Sequence, residues 1–251
     1  MIAQLVVRLA LENPRFGYTR IRDALDNVGH ELCRSSVARI LGAHGIEPAP
    51  ERERKTSWKT FFAAHLDSLA AVDFFTVEVL TLFGIVRHSV LVVMELCTRR
   101  VKLFVKRQPT AQWVQQIFRN LTDPEDGFLL GTTHLIMDRD PLFSQRARKI
   151  LEESGVKVVR LPRRSPNLNA HVERFIRSIK SECLSRMILL GEGALRRACG
   201  QYLEHYHRER NHQGLGSKLI EPGPEVGRSE GRIVCRQRLG GMLRYYHRQA
   251  A

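Results

Sequence analysis

Cysteine is scarce and poorly placed for cross-linking. Among 251 residues there are five, Cys33, Cys97, Cys183, Cys199 and Cys235. The number is odd, the spacing scattered and no CxxC occurs, which excludes a disulfide framework and a zinc knuckle and fits a reducing cytosol. No apolar run approaches the ~20 residues needed to cross a bilayer. The start, Met1-Ile2-Ala3-Gln4-Leu5, has neither the basic region nor the cleavage site of a secretory signal. There is no internal repeat and no low-complexity tract. Acid is also short. Asp and Glu total 26 against 40 Lys and Arg, a net charge of +14. Such an excess speaks about partners rather than fold, and the common polyanionic partner is nucleic acid. What is present is ordinary for a globular chain. The hydrophobic fraction is 43%, and the length suits one or two domains with a real core.

Residues 1–46 read as helices only. Ile2, Leu5, Val6 and Leu9 share a helical face that Asn13-Pro14 breaks. Tyr18, Ile21, Leu25 and Val28 mark a second helix ending near Gly29. Ser35 or Ser36 is expected to cap a third, with Val37, Ile40 and Leu41 inward and closure at Gly42 to Gly45. Helix, short glycine-bearing turn and second helix fit a helix-turn-helix, in which Arg34, Ser35, Ser36 and Arg39 face DNA. A plain helical hairpin fits as well. Residues 47–57 carry two prolines, dense charge and no apolar period, so they read as a linker.

From Trp58 the pattern changes to strands. Leu69–Val79, Ile85–Leu96 and Val101–Val105 are apolar and β-branched, with turns at Leu82-Phe83-Gly84 and Cys97-Thr98-Arg99-Arg100. Antiparallel neighbours are expected. A helix (Pro109–Leu121), a strand (Thr133–Met137), a helix (Ser144–Ser154), a strand (Val156–Leu161) and two further helices follow. The order predicts an α/β fold, a mixed sheet with helices on both faces, spanning 58–225. In the first of those last helices Val172, Phe175, Ile176, Ile179 and Cys183 fall on one face, with Glu173, Arg177 and Lys180 beside it, and Asn167 or Asn169 is expected to cap it. The second covers Glu192–Arg210. After the Pro-Gly-Pro boundary the basic tail 226–251 is open between a β-hairpin and a disordered arm.

Three carboxylates stand out. Asp73 interrupts an apolar strand, where a buried acid needs a partner. Asp138 ends a later strand, where open α/β sheets place ligands. Glu173 opens a helix 35 positions on. Three hard oxygen donors suit Mg²⁺ or Mn²⁺, and two such ions can clamp both oxygens of an in-line phosphoryl transfer. Arg163, Arg164, Arg174, Arg177 and Lys180 surround the third carboxylate and suit DNA phosphates, or else form a solvated basic face. Glu173 and Arg177 also have the spacing of a simple surface pair. Asp140 rivals Asp138, two residues beyond it; otherwise it is a turn residue before Pro141. His205, His207 and His212 lack Cys or His partners at ligand spacing, so structural or DNA-facing roles are expected.

The words around these acids, Ala71-Val72-Asp73-Phe74-Phe75-Thr76-Val77, His134-Leu135-Ile136-Met137-Asp138-Arg139-Asp140 and Ser165-Pro166-Asn167-Leu168-Asn169-Ala170-His171-Val172-Glu173-Arg174-Phe175, resemble the triad motifs of bacterial insertion-sequence DDE transposases. Tyr206, Arg210, Asn211 and His212 resemble the ending that follows that core. The resemblance covers about residues 58–225. It implies a ribonuclease-H-like five-stranded core like that of retroviral integrases. It also implies Asp73 bridging two Mg²⁺ (or Mn²⁺) ions, with Asp138 and Glu173 holding one each. Strand cleavage then frees a 3′-OH that attacks target DNA. The implied partners are element ends and target duplex, bound by a homo-oligomer on paired ends in a bacterial cytoplasm, at the nucleoid, with no membrane. The family often carries more N-terminal DNA-binding sequence, so a truncated or decayed copy, or one completed by a second reading frame, stays open. So do two alternatives, a binding-only regulator that has lost catalysis and a nuclease of the same fold.

Overall fold

The computed structural model describes residues 2–46, 58–161 and 169–249. The linker 47–57 lies outside them, as do Arg163, Arg164 and the Ser165–Leu168 stretch. The chain divides into two compact units, residues 1–64 and 65–251.

The first unit holds α1 (Ile2–Glu12), α2 (Tyr18–Asp26) and α3 (Arg34–Ala43), followed by α4 (Trp58–His65), whose last residue opens the second unit. Val6, Ala10, Ile21, Leu25, Val37 and Leu41 form its fully buried centre. These are the positions that helical spacing puts on one face of each helix. Val28 lies past the end of α2 and is exposed, not inward as its spacing suggested. The third helix begins two or three residues earlier than its serines imply. Cys33 occupies the cap position, and its Sγ lies 3.0 and 3.1 Å from the Ser35 and Ser36 hydroxyls, which sit inside the first turn. The end of α3 is a left-handed glycine stop. Gly45 has φ 66°, and the Ile46 N–H donates to the Leu41 carbonyl at 2.9 Å. Ile46 then folds back on the helical core.

The second unit is built on β1 (Leu69–Thr81), β2 (Gly84–Glu95), β3 (Val101–Lys106), β4 (His134–Met137) and β5 (Lys157–Arg160), arranged β3-β2-β1-β4-β5. The first three form an antiparallel meander, and β4 and β5 add parallel to β1. The two-residue turn Leu82-Phe83 closes β1 onto β2, with Gly84 at φ 103°. Alternation gives β1 two faces. Ala70 and Val72 join Leu91, Val93, Leu135 and Met137 beneath α5 (Ala111–Leu121) and α6 (Gln145–Glu153). Phe143 completes this layer, stacked 5.5 Å from Phe74 and 6.1 Å from Phe118. Both helices carry side-chain caps. Thr110 Oγ1 accepts from the Trp113 N–H and Ser144 Oγ from that of Ala147, each at 3.2 Å.

The other face of β1 carries Ala71, Asp73, Phe75, Val77 and Val79. Against β1 pack α7 (Ala170–Glu182) and α8 (Gly191–Arg208). Phe175 of α7 meets Tyr202 and Tyr206 of α8 edge-on, at 6.1 and 4.9 Å. Each aromatic buried this way contributes about 1.5–3 kcal/mol. Ile176, expected inward with Phe175, is only half-buried. A five-stranded mixed sheet in this order, covered by helices on both faces, is the ribonuclease-H-like arrangement.

The basic tail is a hairpin, β6 (Ile233–Arg238) with β7 (Leu243–Arg248), packed on α8. Glu209 fixes it. That carboxylate is almost fully buried and takes Arg238 at 2.7 and 2.9 Å, Arg236 at 3.3 Å and His205 at 3.1 Å. Burial pushes the Glu209 carboxyl up, but the bonds from Arg238, His205 and Arg236 win and hold it below the usual value.

Candidate active site

Asp73 is the fifth residue of β1, opposite Val92 of β2. On its other side β4 runs parallel, pairing Leu69 with His134, Ala70 with Leu135 and Ala71 with Ile136. Extended two residues past its last pair, that register would set Asp138, just beyond β4, level with Asp73. Asp138 is the first residue beyond β4, and its Oδ1 accepts the Asp140 N–H at 3.0 Å; Asp140 Oδ1 accepts that of Leu142 at 2.8 Å. Asp140 therefore has the turn role that competed with metal binding in its sequence reading. Glu173 lies in the first turn of α7, half-buried, where the helix end favours negative charge.

These acids share one field. Burial pushes the Asp73 carboxyl up to about 6. The Phe74 N–H, donated to Oδ1 at 2.8 Å, pulls the other way, and the negative charges of Asp138, Glu173 and Asp140 raise it further. Asp138 is raised too, first by burial, with the Asp140 N–H opposing and the Asp140 charge adding. Among the described residues none of the four has a salt-bridge partner. Glu173 and Arg177 do not form the surface pair that their spacing allows. The result is a half-buried, uncompensated acidic corner at the carboxyl end of β4. Its all-oxygen donors fit Mg²⁺ or Mn²⁺ rather than a thiolate or imidazole metal. Among the described residues no three His, Cys, Asp or Glu side chains are close enough together to grip an ion. The acids share a neighbourhood without forming a closed coordination set.

The basic residues of α7 separate. Arg177 is exposed. Lys180 is half-buried and holds its Nζ 5.4 Å from the centre of the Phe75 ring. Arg174 is exposed and lines a cavity on another side of the helix, together with His171 and Arg99. Neither His171 nor Arg99 stands out in the sequence, because Arg99 lies in the turn between β2 and β3, 72 residues before His171. Arg34, Ser35 and Arg39 of α3 are exposed, and Ser36 is half-buried. Asn169 occupies the cap position of α7, yet its side chain makes no capping bond. The three histidines are structural. His205 bonds Glu209, His207 Nε2 accepts the Val101 N–H at 3.0 Å, and His212 Nε2 donates to the Tyr206 carbonyl at 2.7 Å.

Residues 154–219 match the family described as Integrase core domain. None of the curated proteins compared with the sequence matches it. Similar solved structures include the catalytic core domain of BIV integrase, 19% identical with TM-score 0.45, covering 61% of this chain and 91% of that one. The HTLV-2 integrase catalytic core domain, solved with magnesium as a dimer, is 16% identical with TM-score 0.42, over 56% and 86%. A chain of the simian T-cell lymphotropic virus intasome is 14% identical with TM-score 0.44, over 73% and 67%. Among the described residues no helix is long and apolar enough to cross a membrane.

Proposed function

We propose that the chain is a DNA transposase of the insertion-sequence type, cutting element ends and joining them to target DNA. The observation that carries this reading is the acidic corner, in which the charges of Asp138, Glu173 and Asp140 all act on the half-buried Asp73 and, among the described residues, no cation pairs with them. The Integrase core domain match supports it, since residues 154–219 include Glu173. Asp73, Asp138 and Glu173 would hold Mg²⁺ or Mn²⁺. When bound, such an ion supplies positive charge against the charge developing at phosphorus.

The chain's own residues do the positioning. Continued past its last pair, the β1–β4 register would set Asp73 and Asp138 side by side, and α7, packed on β1, would carry Glu173 toward the same end. Arg174 and Arg177 present guanidinium groups to the strand backbone, and Arg163 and Arg164 belong to the same basic run in sequence. In joining, the 3′ oxygen of the element end bonds to a target phosphorus, the target's own 3′ oxygen leaves, and the attacking hydroxyl's proton goes to solvent. Arg34, Ser35, Ser36 and Arg39 of α3 would read the element ends in a helix-turn-helix. Two ends cut together imply a homo-oligomer as the active form.

The test is a cleavage and joining assay on labelled DNA carrying the element ends, with Mg²⁺ or Mn²⁺, comparing wild type with Glu173→Gln. Joined product from wild type alone is expected, with loss of at least 100-fold in the variant. Nicks without joining would replace the transposase reading with a nuclease. End binding with no metal-dependent product would leave a regulator.

A further inference from the structure

On the side of α7 away from the acidic corner lies a cavity of about 310 Å³, lined by Arg99, His171, Arg174, Tyr206, Arg210 and His212 among others. Its charge balance is one-sided. Of the three guanidinium groups only Arg210 has a carboxylate, Glu182 at 2.7 Å, and the second oxygen of Glu182 takes the Tyr202 hydroxyl at 3.1 Å. Among the described residues no acid pairs with Arg99 or Arg174. Among the described residues Arg99 Nη1 is buried and has no hydrogen-bond partner, a costly state for a charged donor. Its backbone is also unusual. Arg99 sits at φ 64°, in the left-handed region where glycine or asparagine is the ordinary choice. The turn is held by the Arg99 N–H on the Glu95 carbonyl and the Glu95 N–H on that of Arg100, both 3.0 Å. A strained position carrying a long cation, with its head buried in a cavity, indicates that the side chain serves something the turn does not need.

The remaining groups agree. His171 is half-buried and lines the same cavity as Arg99 and Arg174. Burial lowers Arg99 itself, and the charge of Arg174 adds to this. The Tyr206 hydroxyl lies in the field of Arg210, Arg99 and Arg174. Planar guanidinium forks around a small polar cavity match a tetrahedral oxyanion.

We infer that this cavity is a phosphate-binding site, with Arg99 and Arg174 as its principal donors. Phosphate recognition stands on the cavity alone; assigning the phosphate to a DNA strand rests on the transposase reading. His171 and Arg174 flank Glu173 in sequence, so a strand phosphate held here would keep the DNA against the helix that carries the third carboxylate.

The experiment uses the full chain in EDTA, so that the carboxylates play no part. Calorimetry measures inorganic pyrophosphate, and fluorescence anisotropy measures a labelled single-stranded oligonucleotide. Variants are Arg99→Gly, Arg174→Gln and, as a charge control, Arg87→Gln from the exposed β2 surface. Arg99→Gly should raise Tm, by relieving the left-handed position, while weakening pyrophosphate at least tenfold. Arg174→Gln, at an exposed position that cannot unfold the core, should weaken it similarly. Arg87→Gln should stay within twofold. Parallel losses for the oligonucleotide identify the phosphate as that of a strand; losses for pyrophosphate alone identify a free-anion site and count against the strand. Unchanged pyrophosphate affinity in Arg174→Gln, or a loss no larger than in Arg87→Gln, overturns the inference. Strand joining by wild type would still stand in that case, because it is read in a separate assay through Glu173.

Discussion

Asp73 is destabilising where it stands. Its carboxyl titrates near 6 in the fold against 3.8 for a free side chain. Between those values the folded protein binds a proton that the unfolded chain has lost. Stability therefore falls as pH rises from about 4 to about 6, and the full penalty is present above that. Asp73→Asn removes it. The variant should be more stable than wild type by on the order of 1–2 kcal/mol at pH 7.5, allowing for partial exposure, and no more stable at pH 4. Thermal melts at the two pH values in EDTA check this. An equal shift at both would mean that the gain is not electrostatic. A residue that lowers stability and lacks a cation is the pattern of a functional acid. Asp73 and Asp138 stood out in the sequence because an acid inside an apolar strand and one at a strand end break a local pattern, whereas Glu173, an ordinary acid for a first helical turn, stood out only through the motif around it. Arg99 breaks none, since its left-handed φ and buried head group exist only after folding.

At the scale of elements, the hairpin β6–β7 depends on one buried carboxylate. Glu209 accepts from two arginines and a histidine, so Glu209→Gln weakens three partners together. The cost should be about 2 kcal/mol, below the full range for a broken buried pair because Arg236 stays half in water. Since the Glu209 carboxyl is held low, its contribution is present above the ordinary 4.5 and is lost as pH falls below it. Trypsin reads the outcome, because freeing the hairpin lets the backbone at Arg232, Arg236, Arg238 and Arg244 leave its paired strands and enter a protease site. Faster cleavage there at pH 7.5, with the rest of the chain intact, is expected for the variant; uniform cleavage everywhere would place Glu209 in the global core. The sequence showed the tail's charge but not its structure. The partner that orders it, Glu209, lies beyond the end of α8, and no local pattern joins the two. The cap of α3 was misread for a smaller reason. Serine is the better capping side chain, but the chain turns at Cys33 and takes both serines into the helix.

For the whole molecule, a net charge of +14 is spread over a chain of two compact units, and on the proposed reading both would hold DNA. If α3 reads bases, Arg39→Ala should weaken binding to element ends by about 1–3 kcal/mol and binding to unrelated DNA much less. Equal loss on both, with a salt slope lower by about one, would reduce Arg39 to a phosphate contact. The antiparallel run of the first three strands and the alternation of helices and strands after it were readable from turns and periodicity; the pairing of β4 and β5 beside β1 was not, because no local pattern joins strands so far apart in sequence. The corner where the carboxylates meet could be expected from the resemblance but not measured, because it depends on the β1–β4 register.

That register also limits how the chain can change in length. Successive residues of β1 face opposite layers. One residue gained or lost between Leu69 and Asp73 would swing the carboxylate into the aromatic layer of Phe118 and Phe143 and turn a neighbouring apolar side chain toward Asp138. Insertions and deletions here are tolerable only in pairs, whereas Leu82-Phe83, fully exposed at the hairpin tip, can absorb odd changes. Descendants of this chain should therefore vary in length at the tip while keeping the count from strand start to acid even or unchanged.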